Sequence, residues 1–226
     1  MTKLSILFVS LLLITASVQA QNYFGIKGGI SFTSMSGGHL GIAYEDRGEI
    51  GGTTGLTAEF VINDYFSLAP ELIFSRKGTE IYKGESNITI ATRTDIYHFG
   101  YMEIPLLAKI GYDLDFMEVF VKTGPYLGFI LGGMASEEGT GIIGKRELSL
   151  DQYFSDTERN QEFTKFDMGW YLGGGAAIYA GPGKVFLGLH YDIGFMEIAQ
   201  DNPTYTYKSM GSNRAFIIEA GYLYEF

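Results

Sequence analysis

Beyond residue 22 this chain alternates large or apolar side chains with polar or small ones over most of its length. A period of two is the signature of a strand with one face in apolar surroundings. Eight segments carry it. The first, from Tyr23, sets Phe24, Ile26, Ile30 and Phe32 against Lys27 and Ser31. The second, from about Gly51, sets Leu56, Ala58, Phe60 and Ile62 against Thr53, Thr57 and Glu59. After the turn signal Asn63-Asp64, the third has Phe66, Leu68, Pro70, Leu72 and Phe74 against Ser67, Glu71 and Ser75. The fourth runs through Met102, Ile104, Leu106, Ala108 and Ile110, with Glu103 and Lys109 between them. The fifth, near Glu118 to Leu131, opposes Val119, Val121, Leu127, Phe129 and Leu131 to Lys122, Gly124 and Gly128. The sixth places Met168, Trp170, Leu172, Ala176 and Ile178 opposite Asp167, Gly173 and Gly175. A turn at Ala180 to Lys184 leads to the seventh, Val185 to Phe195, with Gly188, His190 and Asp192 in the other parity. The eighth is the C-terminal stretch, with Phe216, Ile218, Ala220, Tyr222, Tyr224 and Phe226 in one row and Glu219 and Glu225 in the other.

Connections after the second, fourth and sixth segments are short. Those after the first, third, fifth and seventh are long, polar and acidic, at about 33–50, 76–95, 132–165 and 196–212. A water-soluble antiparallel sandwich also alternates, so the remaining features decide. The segments exceed the usual five or six residues of soluble strands and reach the roughly 9–11 needed to cross a bilayer at a tilt. Their number is even, the connections alternate in length, and aromatics stand near the ends of the uncharged rows. In lipid every backbone group needs a partner, which for strands requires closure. The sequence therefore predicts an all-β fold: an eight-stranded antiparallel up-and-down transmembrane β-barrel with short periplasmic turns and long extracellular loops.

The first twenty residues add a destination. Lys3, the apolar run Leu4 to Ile14 broken only by Ser10, and Val18-x-Ala20 before Gln21 describe a cleaved signal peptide at 1–20, with the barrel domain at 21–226. About eleven apolar residues fall short of a spanning helix. Export through the inner membrane to the cell outer membrane is the expected localisation. Removing Lys3 with the leader leaves 15 basic and 26 acidic side chains, a net charge near −11. Such a chain is a poor match for nucleic acid. With no cysteine, stability must come from burial and hydrogen bonds rather than disulfides.

If the apolar parity faces lipid, the other parity lines the barrel. It brings Lys27, Glu59, Glu71, Glu103, Lys109, Lys122, Asp167, His190 and Glu219 together as an interior polar network, with Asp192 and Glu225 inside or at the rims. Eight strands leave room only for side chains, and an isolated buried charge is very costly. A network in which Lys27, Lys109 and Lys122 neutralise carboxylates is therefore favoured over a conduction path. A lipid hydrolase would want a histidine with a serine and an acid in reach. His39 lies in the first long loop, and His190 reads as interior packing. His98, near the outer end of the fourth segment in the lipid-facing parity, has Ser75 and Glu80 as candidate neighbours, but no spacing fixes them there. A bystander histidine and no catalytic residue is the expectation. No metal or cofactor site is expected either. The acidic stretches 136–141 and 151–162 lack calcium-loop spacing, and Gly173 to Ala177 opens no helix. A short helix starting near Ser149 and Gln152, with Leu150, Tyr153 and Phe154 on one face, is expected within the second stretch. It reads as solvated by default, or as a contact surface for an extracellular or lipopolysaccharide partner.

The stretch Tyr101 to Tyr112, YMEIPLLAKIGY, resembles a strand that recurs in the PorT-type outer-membrane β-barrel proteins of Bacteroidetes. FGIKGGIS from Phe24, SLAPELIFSRKG from Ser67, KTGPYLGFIL from Lys122 and DMGWYLGGGAAIY from Asp167 are similar in the same order. The seventh segment departs, with LHYDIGFMEIA where the family often has Arg-Tyr followed by Gly-Leu. The resemblance implies a porin-like outer-membrane barrel inserted by the barrel-assembly machinery, and it confers no enzyme activity or cofactor. Tyr222, Tyr224 and Phe226 resemble the C-terminal aromatic signal which that machinery recognises. The expected role is structural, recognition or transport-associated. The alternatives are an accessory component of a protein secretion system and a lipid-modifying barrel enzyme. Expected partners are outer-membrane lipids and lipopolysaccharide, the assembly machinery, and an extracellular or secretion-system protein.

Overall fold

A computed structural model describes residues 21–36, 44–83, 93–139, 146–149, 164–199 and 210–226. The leader at 1–20, His39 and the expected loop helix beyond Ser149 lie outside these residues. Among the described residues there are nine strands: β1 (Asn22–Ser36), β2 (Tyr44–Asn63), β3 (Phe66–Lys83), β4 (Arg93–Asp113), β5 (Met117–Gly139), β6 (Arg146–Ser149), β7 (Phe166–Tyr179), β8 (Gly183–Ala199) and β9 (Met210–Glu225). All pairings are antiparallel between chain neighbours, except that β7 pairs β5 directly and β1 pairs β9. β4 pairs both β3 and β5, so eight strands close on themselves and no edge is left in the wall. The ninth, β6, is a short addition paired to β5 at Met134–Glu137.

Three tight turns join strands at one end. Asn63 fixes the first by accepting the backbone N–H of Tyr65 and of Phe66 at 3.0 Å each. In the third, Gly181 takes a φ of 60°, which glycine adopts without strain. The seam between the termini is at the same end, where the backbone N–H of Phe226 donates to the carbonyl of Asn22 at 2.9 Å. Close approach of the two seam strands depends on Gly25, where a Cβ would fall 1.8 Å from the carbonyl oxygen of Tyr222.

The apolar rows face outward. Ile26, Ile30, Leu106, Val121, Leu172, Leu187 and Leu189 are all at least half exposed. Phe24, Phe32, Trp170, Tyr224 and Phe226 also stand on the outer wall. From Phe216 to Phe226, about ten residues at 3.3 Å each with a tilt near 40° give an apolar band of about 25 Å. The opposite parity is buried and holds more than charge, glycine and small polar residues. Tyr23, Phe99, Tyr101, Leu107, Phe120, Tyr126, Tyr171, Phe186 and Ile217 fill the lumen.

Much of the sequence expected as loop is strand. The long connections after the first, third and fifth segments lose their flanks to β2, β3, β4 and β5, which run past the barrel. Register pairs Tyr44↔Lys83, Lys83↔Arg93, Arg93↔Gly139 and Glu137↔Arg146 make a five-stranded sheet beyond the loop end. The alternation breaks there because both faces of this sheet lie outside the apolar band.

Candidate functional site

The barrel interior is organised in layers. Nearest the turns, Glu59 (β2), Lys109 (β4), Glu118 (β5) and Lys184 (β8) form a closed square of alternating charge. Lys109 lies 2.8 Å from Glu59 and 2.5 Å from Glu118, and Lys184 lies 3.0 Å from Glu59 and 2.8 Å from Glu118. Lys184 also sits over the Tyr23 ring at 4.2 Å and Lys109 over Phe120 at 4.7 Å.

Midway along the axis a second square repeats the design. Lys27 (β1) contacts Glu71 (β3) at 2.5 Å and Glu219 (β9) at 2.8 Å, and Lys122 (β5) contacts the same two at 2.9 and 2.8 Å. Thr57 adds a hydrogen bond to Glu71. A cavity of about 20 Å³ lies between the squares, lined by Glu59, Glu71, Lys109, Lys122 and Lys184, enough for about one water. Each lysine in the squares meets two carboxylates and each carboxylate two lysines. That reciprocity lets charge be buried without an unpaired ion.

Towards the loops the balance changes. Lys77 (β3) contacts Glu103 (β4) at 2.5 Å and Asp192 (β8) at 3.4 Å, while Asp167 (β7) accepts from Tyr126 at 3.4 Å and from the Met168 backbone. Ser75 donates to Glu103 at 3.1 Å. His190 stacks on Tyr171 with ring centroids 4.0 Å apart. Its two nitrogens stand 3.5 Å from Glu219 and 3.7 Å from Asp192, joining the middle square to this outer group.

All nine residues read from the sequence as an interior network are thus buried in the lumen. Lys77, Glu118 and Lys184 were missed, although parity marks each. Lys77 continues the row of Glu71 and Ser75 into a stretch read as loop. Glu118 precedes Lys122 by four, and Lys184 precedes His190 by six across a position read as turn. Ser75 is turned inward, and the carboxylate beside His98 is Glu49, whose Oε2 lies 2.6 Å from Nδ1. Among the described residues no cluster of three His, Cys, Asp or Glu is set to hold a metal ion.

A closed barrel with an apolar outer band and a paired ionic interior defines a transmembrane β-barrel. Residues 19–200 match the family model described as "Outer membrane protein beta-barrel domain", and the chain belongs to that family. The turn end is accordingly periplasmic and the loop end extracellular. No curated protein matches the sequence. Among solved structures, Neisserial surface protein A is 15% identical over 90% of this chain and 97% of that one, with a TM-score of 0.43. The attachment invasion locus protein Ail of Yersinia pestis, in complex with the heparin analogue sucrose octasulfate, is 11% identical over 92% and 100%, with a TM-score of 0.40. The outer membrane protease OmpT of Escherichia coli is 10% identical over 94% and 100%, with a TM-score of 0.34. Similarities of this size say nothing about function.

Proposed function

We propose that this protein is a sealed outer-membrane barrel that acts by recognition at the cell surface, rather than by conduction or catalysis. The observation that carries this reading is the pairing of a plugged lumen with a one-sided sheet. Two salt-bridge squares and a packing of aromatic rings cross the lumen, while β2 to β6 continue outward to Tyr44, Lys83, Arg93, Gly139 and Arg146. From Met102 to Arg93 is nine residues, about 20 Å of tilted strand beyond the apolar band. On the other side, among the described residues, β1 extends to Ser36 and β7 from Phe166. Side chains that fill a lumen serve the barrel, whereas a wall raised on one side presents surface to something outside.

Extracellular protein or lipopolysaccharide is the partner class for that surface, and the assembly machinery is the proposed partner during biogenesis through Tyr222, Tyr224 and Phe226. The motif order supports a narrower affiliation with the PorT-type proteins of Bacteroidetes and delivery by a cleaved signal at 1–20. Trimming tests the role. Glu80 and Ile96 are register partners, so joining them by a two-residue turn shortens the wall without touching the barrel. A trimmed protein should still fold, seen as a band shifted on gels when unheated, yet fail to complement a deletion strain. Complementation equal to the full chain would overturn the reading.

A further inference from the structure

The outer wall of β3, β4 and β5 at the loop end carries three stacked rows, fixed by register. The first is Phe74↔Met102↔Phe129, apolar and at the top of the lipid-facing band. Next comes Arg76↔Gly100↔Gly132, and then Gly78↔His98↔Met134. On β3 and β4 consecutive rows are two residues, about 6.5 Å, apart, whereas on β5 a register shift puts three residues between Phe129 and Gly132 and leaves exposed Leu131 between the first two rows. Arg76 is exposed, and among the described residues its guanidinium has no ion-pair partner. The two row positions beside it are glycines, with Leu131 exposed on the membrane side of Gly132. A Cβ at Gly132 would meet nothing within 4 Å, and one at Gly100 only the Gly132 carbonyl at 3.7 Å.

The third row is acidic at its β2 side. β2 is irregular between Gly48 and Thr53, and Ser31 and Thr33 on β1 bond the backbone of Arg76 and Gly78 there. Glu49, within this irregularity, lies across Gly78, where a Cβ would fall 2.4 Å from its Oε2, and reaches His98 at 2.6 Å. That carboxylate keeps 21% side-chain exposure. Glu80 shares the outward parity one row further out. Moving away from the membrane, the wall therefore reads apolar, cationic with open floor, then anionic.

We propose that this wall is a binding site for a membrane lipid with an aminated phosphate headgroup. The acyl chains lie on Phe74, Met102 and Phe129. The phosphate sits on the glycine floor against the Arg76 guanidinium, whose fork matches phosphate oxygens. The ammonium lies one row out, at the carboxylate that His98 holds in place. A phosphate without the amine satisfies only Arg76, and a soluble phosphate lacks the acyl contacts. The site rests on the outer-membrane orientation of the proposed function but not on recognition by the extended sheet, so failure of the trimming test leaves it standing.

Native mass spectrometry of the full barrel in detergent, with added lipid, tests it. Dioleoylphosphatidylethanolamine should be retained in preference to dioleoylphosphatidylglycerol, and dioleoylglycerol hardly at all. Arg76→Gln should reduce phosphatidylethanolamine retention by about tenfold or more, as expected for a lost charge-assisted hydrogen bond. Arg214→Gln, an exposed arginine on β9 at the other side of the barrel, should not. Glu49→Gln should erase the preference for ethanolamine over glycerol. Because Arg76 is exposed, the heat-shifted band of the variant should be unchanged, which separates lost lipid from lost fold. Equal retention by wild type and Arg76→Gln, equal retention of dioleoylglycerol, or displacement of the lipid by inorganic phosphate would each overturn the proposal.

Discussion

Replacing Lys122 with methionine isolates the energetics of the middle square. Lys122 is 6% exposed and bridges Glu71 at 2.9 Å and Glu219 at 2.8 Å. Methionine keeps most of the volume but removes one of two positive charges facing two carboxylates, each 1% exposed. Lys27 remains in contact with both, so one negative charge is left without compensation. Removing one partner of a buried pair costs about 3–5 kcal/mol, which is two to four orders of magnitude in the unfolding equilibrium, at about 1.4 kcal/mol per decade. Trp170, the sole tryptophan, faces outward with 43% exposure, so its fluorescence in vesicles reports loss of the lipid-facing wall. Urea titrations of wild type and Lys122→Met followed this way should differ by that amount. Adding Glu219→Gln removes the excess charge, leaving the 2.5 Å Lys27–Glu71 contact intact. The double variant should therefore be more stable than the sum of the two single effects, by about 1–3 kcal/mol. A loss below about 1 kcal/mol for Lys122→Met, or strict additivity, would refute the idea that the square acts as a unit.

The turn-end square should behave alike. Lys184→Met leaves Glu59 and Glu118 sharing Lys109 alone, and its urea midpoint should fall while Lys184→Met with Glu118→Gln recovers part of the loss. At the seam, Gly25→Val should abolish the heat-shifted band, because a Cβ there meets the Tyr222 carbonyl at 1.8 Å. Gly28→Val should not, since the nearest atom to a Cβ at that outward position is 3.6 Å away. Deleting Phe226 should lower the yield of inserted barrel in cells far more than trimming at Glu80 and Ile96. Equal yields would argue against an assembly role for the C-terminal aromatic row.

The outward wall was the legible part. Facing lipid demands an uncharged side chain at every second position, so Phe24 to Phe32 and Phe216 to Phe226 announce both strand and parity. Which interior charges meet was not legible. Lys27 reaches Glu71 two strands away and Lys122 reaches Glu219 three strands away, and such cross-lumen neighbours depend on the stagger of the closed sheet. Lys77 escaped because the outward row above Phe74 turns to Arg76 and Gly78, which breaks the apolar alternation just where the strand leaves the apolar band. The interior aromatics were hidden for the opposite reason. Around Tyr126 and Tyr171 both parities are large and apolar, so period two fades although the strand continues. β6 is four residues long, too short for any period, and it exists only because β5 offers a partner.

The Glu49–His98 pair shows a further limit. It joins β2 to β4 across a glycine on β3, a contact that no spacing encodes. The sequence drew attention to His98 but offered Ser75 and Glu80 as company. Ser75 instead serves Glu103 inside the lumen. The rim histidine thus meets Glu49 on the outer wall, while Ser75 faces the lumen.

Paired charge closes the lumen. Conductance of the purified, refolded barrel in planar lipid bilayers tests it most directly. The barrel should insert, shown by the heat-shifted band of the same preparation, without stepwise current. Substituting Lys27, Glu71, Lys122 and Glu219 together by alanine should open measurable current. Reproducible steps from the unmodified barrel, of the same size as those from the quadruple variant, would contradict it.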